Sequence, residues 1–226
     1  MRAMGRPPRV DIGGILYHVL NRANARLPMF DTDGDYAAFL GIMAEAQEIV
    51  PMRVIEYALM PNHWHLVLWP LADGHLSKFM HEMTNTHVKR WTAAHHVTGL
   101  GHLYQGRYKS FPVQDDRHYL TVCRYVVRNP LRAKLAPRAE KWPWSSLFQR
   151  LASKADGRPF LTDGPLELPR SWMDIVNEPQ PEKDLTSIRH SVRRGQPYGD
   201  ADWVARTARR LGLESTLRPA HRVRPR

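Results

Sequence analysis

Two β-compatible runs, residues 52–59 and 63–69, are separated by Met60 and the turn-forming pair Pro61-Asn62. So short a connection leaves an antiparallel hairpin as the arrangement of these strands, and the rest of the chain must be built around it. The second strand opens with His63-Trp64-His65. Positions two apart on a strand share a face with Cα atoms about 6.6 Å apart, so the two imidazoles can converge on one ion while Trp64 faces the opposite side. Two structural histidines would meet the same spacing, and the chain has 12 His.

The other elements follow from periodicity. Residues 15–20 read as a strand ending in the polar turn Asn21-Arg22-Ala23-Asn24. Residues 31–50 place Tyr36, Phe39, Leu40, Met43, Ala46 and Val50 at three- and four-residue steps behind an acidic start, which predicts an amphipathic helix. A helix over 75–95 would bury Leu76, Phe79, Met80, Met83 and Val88, and a fourth strand is expected over 103–113. Asp115 or Asp116 can cap a helix over 117–129 that Pro130 stops. On that helix Leu120, Cys123 and Val127, with Val122 and Val126, form an apolar stripe, while Thr121, Tyr125, Arg128 and Asn129 line another face. Tyr125 and Asn129 then sit one turn apart, which suits a site and equally a half-buried aromatic followed by a helix terminator.

The order β, α, β, β, α, β, α is the split βαβ pattern of an α+β, ferredoxin-like fold. It predicts a four-stranded antiparallel sheet with helices on one face, the other face being available for a site or a nucleic acid, and a helical basic C-terminal extension.

Charge divides the chain further. Formal net charge is +11, concentrated in two blocks. Residues 76–134 hold 10 basic and 3 acidic groups, and residues 189–226 hold ten Arg against three acids, each block +7. An acidic stretch over 151–188 separates them, so the expected organisation is a main domain over 1–150, a linker over 151–185 and a basic tail over 186–226. The tail's cations are all Arg, suited to bidentate phosphate contact, which points to a polyanionic partner. Two Pro-stiffened basic arms, residues 5–9 and 224–226, are of the kind that enter a minor groove. Helices over 188–194 and 200–211 would form a helix-turn-helix-like pair presenting Arg206, Arg209 and Arg210 to a duplex.

The single Cys excludes a disulfide framework and Cys-rich zinc modules. No segment approaches the ~20 apolar residues of a membrane span, and residues 1–20 lack a signal-peptide pattern. A cytoplasmic protein without a membrane partner is expected.

Several ordered motifs carry a family resemblance: Met60-Pro61-Asn62-His63-Trp64-His65, then Leu103-Tyr104-Gln105-Gly106-Arg107-Tyr108-Lys109-Ser110, then Tyr125-Val126-Val127-Arg128-Asn129-Pro130, then Trp142-Pro143-Trp144-Ser145-Ser146. Across residues 5–150 the chain resembles the single-tyrosine (HUH) transposases of bacterial insertion sequences, and among them the REP-associated tyrosine transposases. The resemblance implies metal-dependent cleavage of single-stranded DNA beside hairpins, and strand transfer through a 5′-phosphotyrosine intermediate. It implies Tyr125 as nucleophile, with His63, His65 and Asn129 holding a divalent metal, Mg²⁺ or Mn²⁺. Asn129, where the insertion-sequence enzymes have Gln, fits the REP-associated branch. Both a homodimer exchanging tyrosine helices and a monomer occur among such relatives.

Phosphodiester transfer needs an in-line nucleophile, neutralised phosphoryl oxygens and a stabilised leaving oxygen. A phenol requires help from a base, a metal or nearby cations to attack. The expected DNA contacts are Lys89, Arg90, Arg107, Lys109, Arg124 and Arg128, with Trp91, Tyr104 and Tyr108 available for base stacking. The main alternative is a catalytically inactive, domesticated hairpin-binding protein of the same fold. An RNA-binding ferredoxin-like module would want aromatics where the strand carries His63 and His65, and a zinc hydrolase would want accompanying carboxylates or cysteines.

Overall fold

The computed structural model describes residues 10–97, 99, 101–156 and 161–218; the basic arms at 5–9 and 224–226 lie outside the described residues. Its elements are β1 (Leu16–Arg22), α1 (Asp33–Ile49), β2 (Met52–Met60), β3 (His63–Pro70), α2 (His75–Ala94), β4 (Lys109–Val113), α3 (Arg117–Val127), α4 (Asn129–Arg132), α5 (Ser146–Asp156), α6 (Trp172–Asn177), α7 (Glu182–Arg194), α8 (Ala201–Arg210) and α9 (Glu214–Leu217). Met60 pairs with His63, so Pro61 and Asn62 are the whole turn of the β2–β3 hairpin. The four strands lie in the order β2-β3-β1-β4 with every neighbour antiparallel, the ferredoxin-like arrangement.

Strand alternation builds two cores. Tyr17, Val19, Trp64, Leu66 and Leu68 pack against Phe39 and Met43 of α1 and Phe79 and Met83 of α2. From the opposite face Leu16, Val67, Phe111 and Val113 meet Val122, Cys123 and Val126 of α3. The extension joins this second core through Trp172, Val176, Leu185, Ile188 and Tyr198. The face opposite α1 and α2 is therefore roofed by α3 and the extension, and the open part of it is the cleft described below.

Several boundaries differ from the sequence reading for local reasons. β1 runs on to Arg22, opposite His63, because pairing with β3 overrides the turn preference of Asn21-Arg22. β4 begins only at Lys109; Tyr104 makes an isolated bridge to Ala23, and Gly106 falls outside the ladder. Pro112 is tolerated because β4 is an edge strand, and Tyr198 covers that edge, donating its N–H to the Pro112 carbonyl at 2.9 Å. Pro130 does not end the helical path. It occupies the first turn of α4, where its missing N–H has no partner to lose.

Capping is partly local and partly remote. Thr32 and Asp35 form a capping box on α1, and Asp116 caps α3 by accepting from the His118 N–H. α2 starts at Gly74 with no side-chain cap of its own; the Asp11 carboxylate accepts from the N–H groups of Leu76 and Ser77, each at 2.9 Å. Asp11→Ala removes a charged cap at the positive end of a long helix and should cost about 1–2 kcal/mol, read as a lowered urea midpoint with an unchanged slope.

Candidate active site

The pleat of β3 sets His63 and His65 on the α3 side of the sheet, and α3 brings Tyr125 down beside them. The Tyr125 ring stands edge-on to His65 with ring centres 5.6 Å apart, and the two β3 imidazoles are 5.1 Å apart. The helical path from α3 into α4 keeps Asn129 and Arg132 in line with Tyr125 at steps of four and three. All five residues line one cleft of about 630 Å³. One chain supplies every one of them.

Arg132 connects this set. Its guanidinium carbon lies 4.5 Å from the centre of the Tyr125 ring, and Nη2 donates to Asn129 Oδ1 at 2.5 Å. Asn129 Nδ2 is buried with no hydrogen-bond partner among the described residues. It is a donor placed to meet an acceptor arriving in the cleft.

The imidazoles are held neutral. Burial pushes His63 down to about 4, with the Arg22 and Arg132 cations adding to it. Burial likewise holds His65 well below the usual histidine range, helped by His18, His63, Arg132 and Arg22. A hydrogen bond selects the tautomer of His63. Asn62 Oδ1, an acceptor, lies 2.7 Å from His63 Nδ1, so the proton sits there and Nε2 keeps its lone pair. His65 Nδ1 lies 3.0 Å from Nε2 of the fully buried His18; when His65 donates this bond, its Nε2 is likewise a lone pair. Two neutral imidazoles fit a divalent cation, and Asn129 could join them only through Oδ1, the atom that accepts from the Arg132 guanidinium.

A second group of side chains that could hold a cation stands elsewhere. Asp116, His118 and Asp200 offer ligand atoms within 4.8 Å of one another, consistent with divalent metal use. It joins the start of α3 to the start of α8. His118 is seven residues before Tyr125, about 10 Å along the helix, so this set does not share the tyrosine cleft.

The expected DNA-contacting residues are scattered. Arg107 and Lys109 border a cleft that adjoins the tyrosine cleft at Arg22. Arg90, on α2, makes a bidentate pair with Glu45 at 2.8 and 2.7 Å, and Lys89 is exposed beside it. Arg124 and Arg128 donate to backbone carbonyls of the extension: Arg124 to Glu178 and Pro179, Arg128 to Glu178 and Asn177. Arg206, Arg209 and Arg210 are exposed on α8. Tyr104 and Tyr108 are buried in the first core, and Trp91 donates to the Met29 carbonyl.

Sequence reasoning missed His18, Arg22, Arg132, Arg189 and Arg193. Two of them left a signal. Leu16, His18 and Leu20 alternate onto one side of β1, and the 125, 129, 132 spacing continues a helical face past Pro130.

The family model for IS200-like transposases matches residues 12–129, just over half of the chain. The chain belongs to the IS200-like transposase family. The matched region contains His63, His65, Tyr125 and Asn129, whereas Arg132 and the whole extension lie past its end. A solved REP-associated tyrosine transposase bound to a REP hairpin shares the fold at 17% identity, with a TM-score of 0.55 over 79% of this chain and 99% of that one. A Deinococcus radiodurans R1 protein classed with the transposases is similar over 59% of this chain and 92% of its own at 16% identity, with a TM-score of 0.39. No curated protein matches the chain. No described helix of this IS200-like chain is long and apolar enough to cross a membrane.

In metal-free protein the buried imidazoles make stability pH-dependent. His18 and His87 are pushed down to about 3 and His63 to about 4, all chiefly by burial. The unfolded chain therefore binds more protons below about pH 6.5, and stability falls as pH drops from there towards about 4 for His63 and about 3 for His18 and His87. At about pH 5 each such imidazole costs on the order of 2 kcal/mol. Urea midpoints measured at about pH 7.5 and 5 should differ accordingly, the lower pH giving the lower midpoint.

Proposed function

We propose that this IS200-like transposase cuts and rejoins single-stranded DNA in a metal-dependent reaction, with Tyr125 as the nucleophile. The observation that carries the reading is the Tyr125 phenol set edge-on to a neutral imidazole, in a cleft whose other walls are a second neutral imidazole, a buried amide and Arg132. His63, His65 and Asn129 would hold Mg²⁺ or Mn²⁺, which when bound neutralises phosphoryl oxygens and polarises the scissile bond.

The chain's own residues supply the rest. Tyr125 Oη attacks phosphorus in line, forming the phosphotyrosine bond while the bond from phosphorus to the upstream 3′ oxygen breaks. The phenolic proton passes to water in the cleft, and the departing oxygen takes a proton to leave a 3′-hydroxyl. The positive guanidinium of Arg132, over the ring, favours the negative charge that develops on the phenolic oxygen. Asn129 Nδ2 is placed to donate to a phosphoryl oxygen. The 5′-phosphotyrosine retains a phosphoester, so a second 3′-hydroxyl can be joined to it without an external energy source.

Hairpin DNA of the REP type is the proposed substrate, and the REP-associated branch the proposed affiliation. The shared fold with the hairpin-bound transposase supports both. The exposed Arg206, Arg209 and Arg210 of α8 would hold the neighbouring duplex. A single chain would suffice for cleavage, since α3 packs on its own sheet.

Labelled hairpin DNA with single-stranded flanks, incubated with Mg²⁺ or Mn²⁺, should yield an adduct that survives denaturation. Tyr125→Phe should abolish the adduct and retain DNA binding. His63→Ala or His65→Ala should lower metal-dependent cleavage by more than about a hundredfold. An adduct undiminished in Tyr125→Phe would assign the nucleophile elsewhere, and wild-type binding without any adduct would identify the inactive, domesticated form.

A further inference from the structure

Val192 of α7 lines three clefts. The first is the tyrosine cleft. The second, of about 450 Å³, lies between Leu20–Arg22 and the segment 105–109; the third, of about 220 Å³, is bounded by Lys109, Ser110 and Val192–Gly195. Leu20 and Arg22 belong to the first and second and Lys109 to the second and third, so each cleft adjoins the next. Together they make one groove from Tyr125 along α7 to the outer strand β4.

The groove carries one sign of charge. Arg22, Arg107, Lys109, Arg132, Arg189 and Arg193 line it, and among the described residues no Asp or Glu does. No hydrogen bond or ion pair occupies the side chains of Arg22, Arg107, Lys109 or Arg193 among the described residues. Arg189 pairs with Glu182 at 3.1 Å, but both groups are exposed, and such a pair is readily exchanged for a stronger anion. Arg194 also lines the third cleft but differs: it donates to the carbonyls of Ser215, Thr216 and Arg218 and holds α7 against α9.

We propose that this groove is the track of the single strand adjoining the scissile phosphate, and that α7 is one of its walls. The inference rests on the reading that Tyr125 cuts DNA. A phosphate that reaches Tyr125 sits between the sheet and α3, and the nucleotides joined to it must leave along a surface continuous with that cleft. The cations are strung along four elements and the loop before β4 and do not converge on one point, which matches a repeating anion better than a single phosphate. A basic groove following the backbone is how single strands are held without base readout. The first helix of the basic extension thereby belongs to the reaction centre.

Binding tests this in the full chain carrying Tyr125→Phe, so that no cleavage intervenes. Hairpin DNA is titrated with no flank or with a single-stranded flank of about eight nucleotides on either side, at several salt concentrations. The flank on one side should raise affinity about tenfold. Arg189→Ala with Arg193→Ala should cut that gain to less than about twofold and make the salt slope shallower by about 1.4, the value for two lost single-strand phosphate contacts. Arg189→Lys with Arg193→Lys should keep most of the gain. Should the double alanine variant fail to fold, Arg107→Ala on the opposite wall should give the same direction of loss. A full gain in the alanine variants, an equal gain from a double-stranded flank, or a loss as large in the lysine variant as in the alanine one would each overturn the proposal. The adduct assay on wild-type protein scores the cleavage reading separately: a flank effect without an adduct leaves the groove standing and removes the chemistry, and an adduct without a flank effect does the reverse.

Discussion

Everything at the candidate site depends on the two-residue period of β3. Trp64, Leu66 and Leu68 anchor one side of the strand in the core beneath α1 and α2, with Trp64 fully buried. That anchoring fixes the register, because a slip by one residue would turn a tryptophan into the cleft and two imidazoles into an apolar interior. His63 and His65 are thus aimed into the cleft by residues that do not line it. The same alternation on β1 sets His18 behind His65, and the apolar stripe of α3 sets the height at which Tyr125 meets them.

The strands, the long helices and the pair of histidines were legible in the sequence because each rests on a local pattern: a two-residue turn, a three- and four-residue spacing, a capping carboxylate. The strand order needed only the βαββαβ sequence of elements. What was not legible depends on chain segments far apart meeting in space. Asp11 caps a helix more than sixty residues away, and Tyr198 covers the edge that would otherwise leave Pro112 beside open backbone groups. The roofing of the second face by the extension was hidden for the same reason: composition marks 151–188 as acidic and 189–226 as basic, but not that Trp172, Val176 and Ile188 complete a core begun by Val67 and Phe111.

The arginines show why charge counting alone does not tell where a cation points. Arg124 and Arg128 flank the tyrosine in sequence, yet their planar donors close onto backbone carbonyls at 177–179. Arg132, one turn further on, bears on the tyrosine ring itself. Helical phase separates these roles: residues 125, 129 and 132 share a face, and 124 and 128 lie on the next one round. A run of cations on a helix is therefore two populations, one holding the fold and one facing the cleft, and only the angle about the axis distinguishes them.

The carbonyl bonds of Arg124 and Arg128, with the bond from Gln180 to the Thr121 carbonyl, have a mechanical meaning. They rivet the segment leading into α7 to the very helix that carries Tyr125. These bonds tie the extension to α3 directly, without involving the sheet. The tail and the helix that carries Tyr125 are therefore fastened to one another twice over, by these bonds and by the second core.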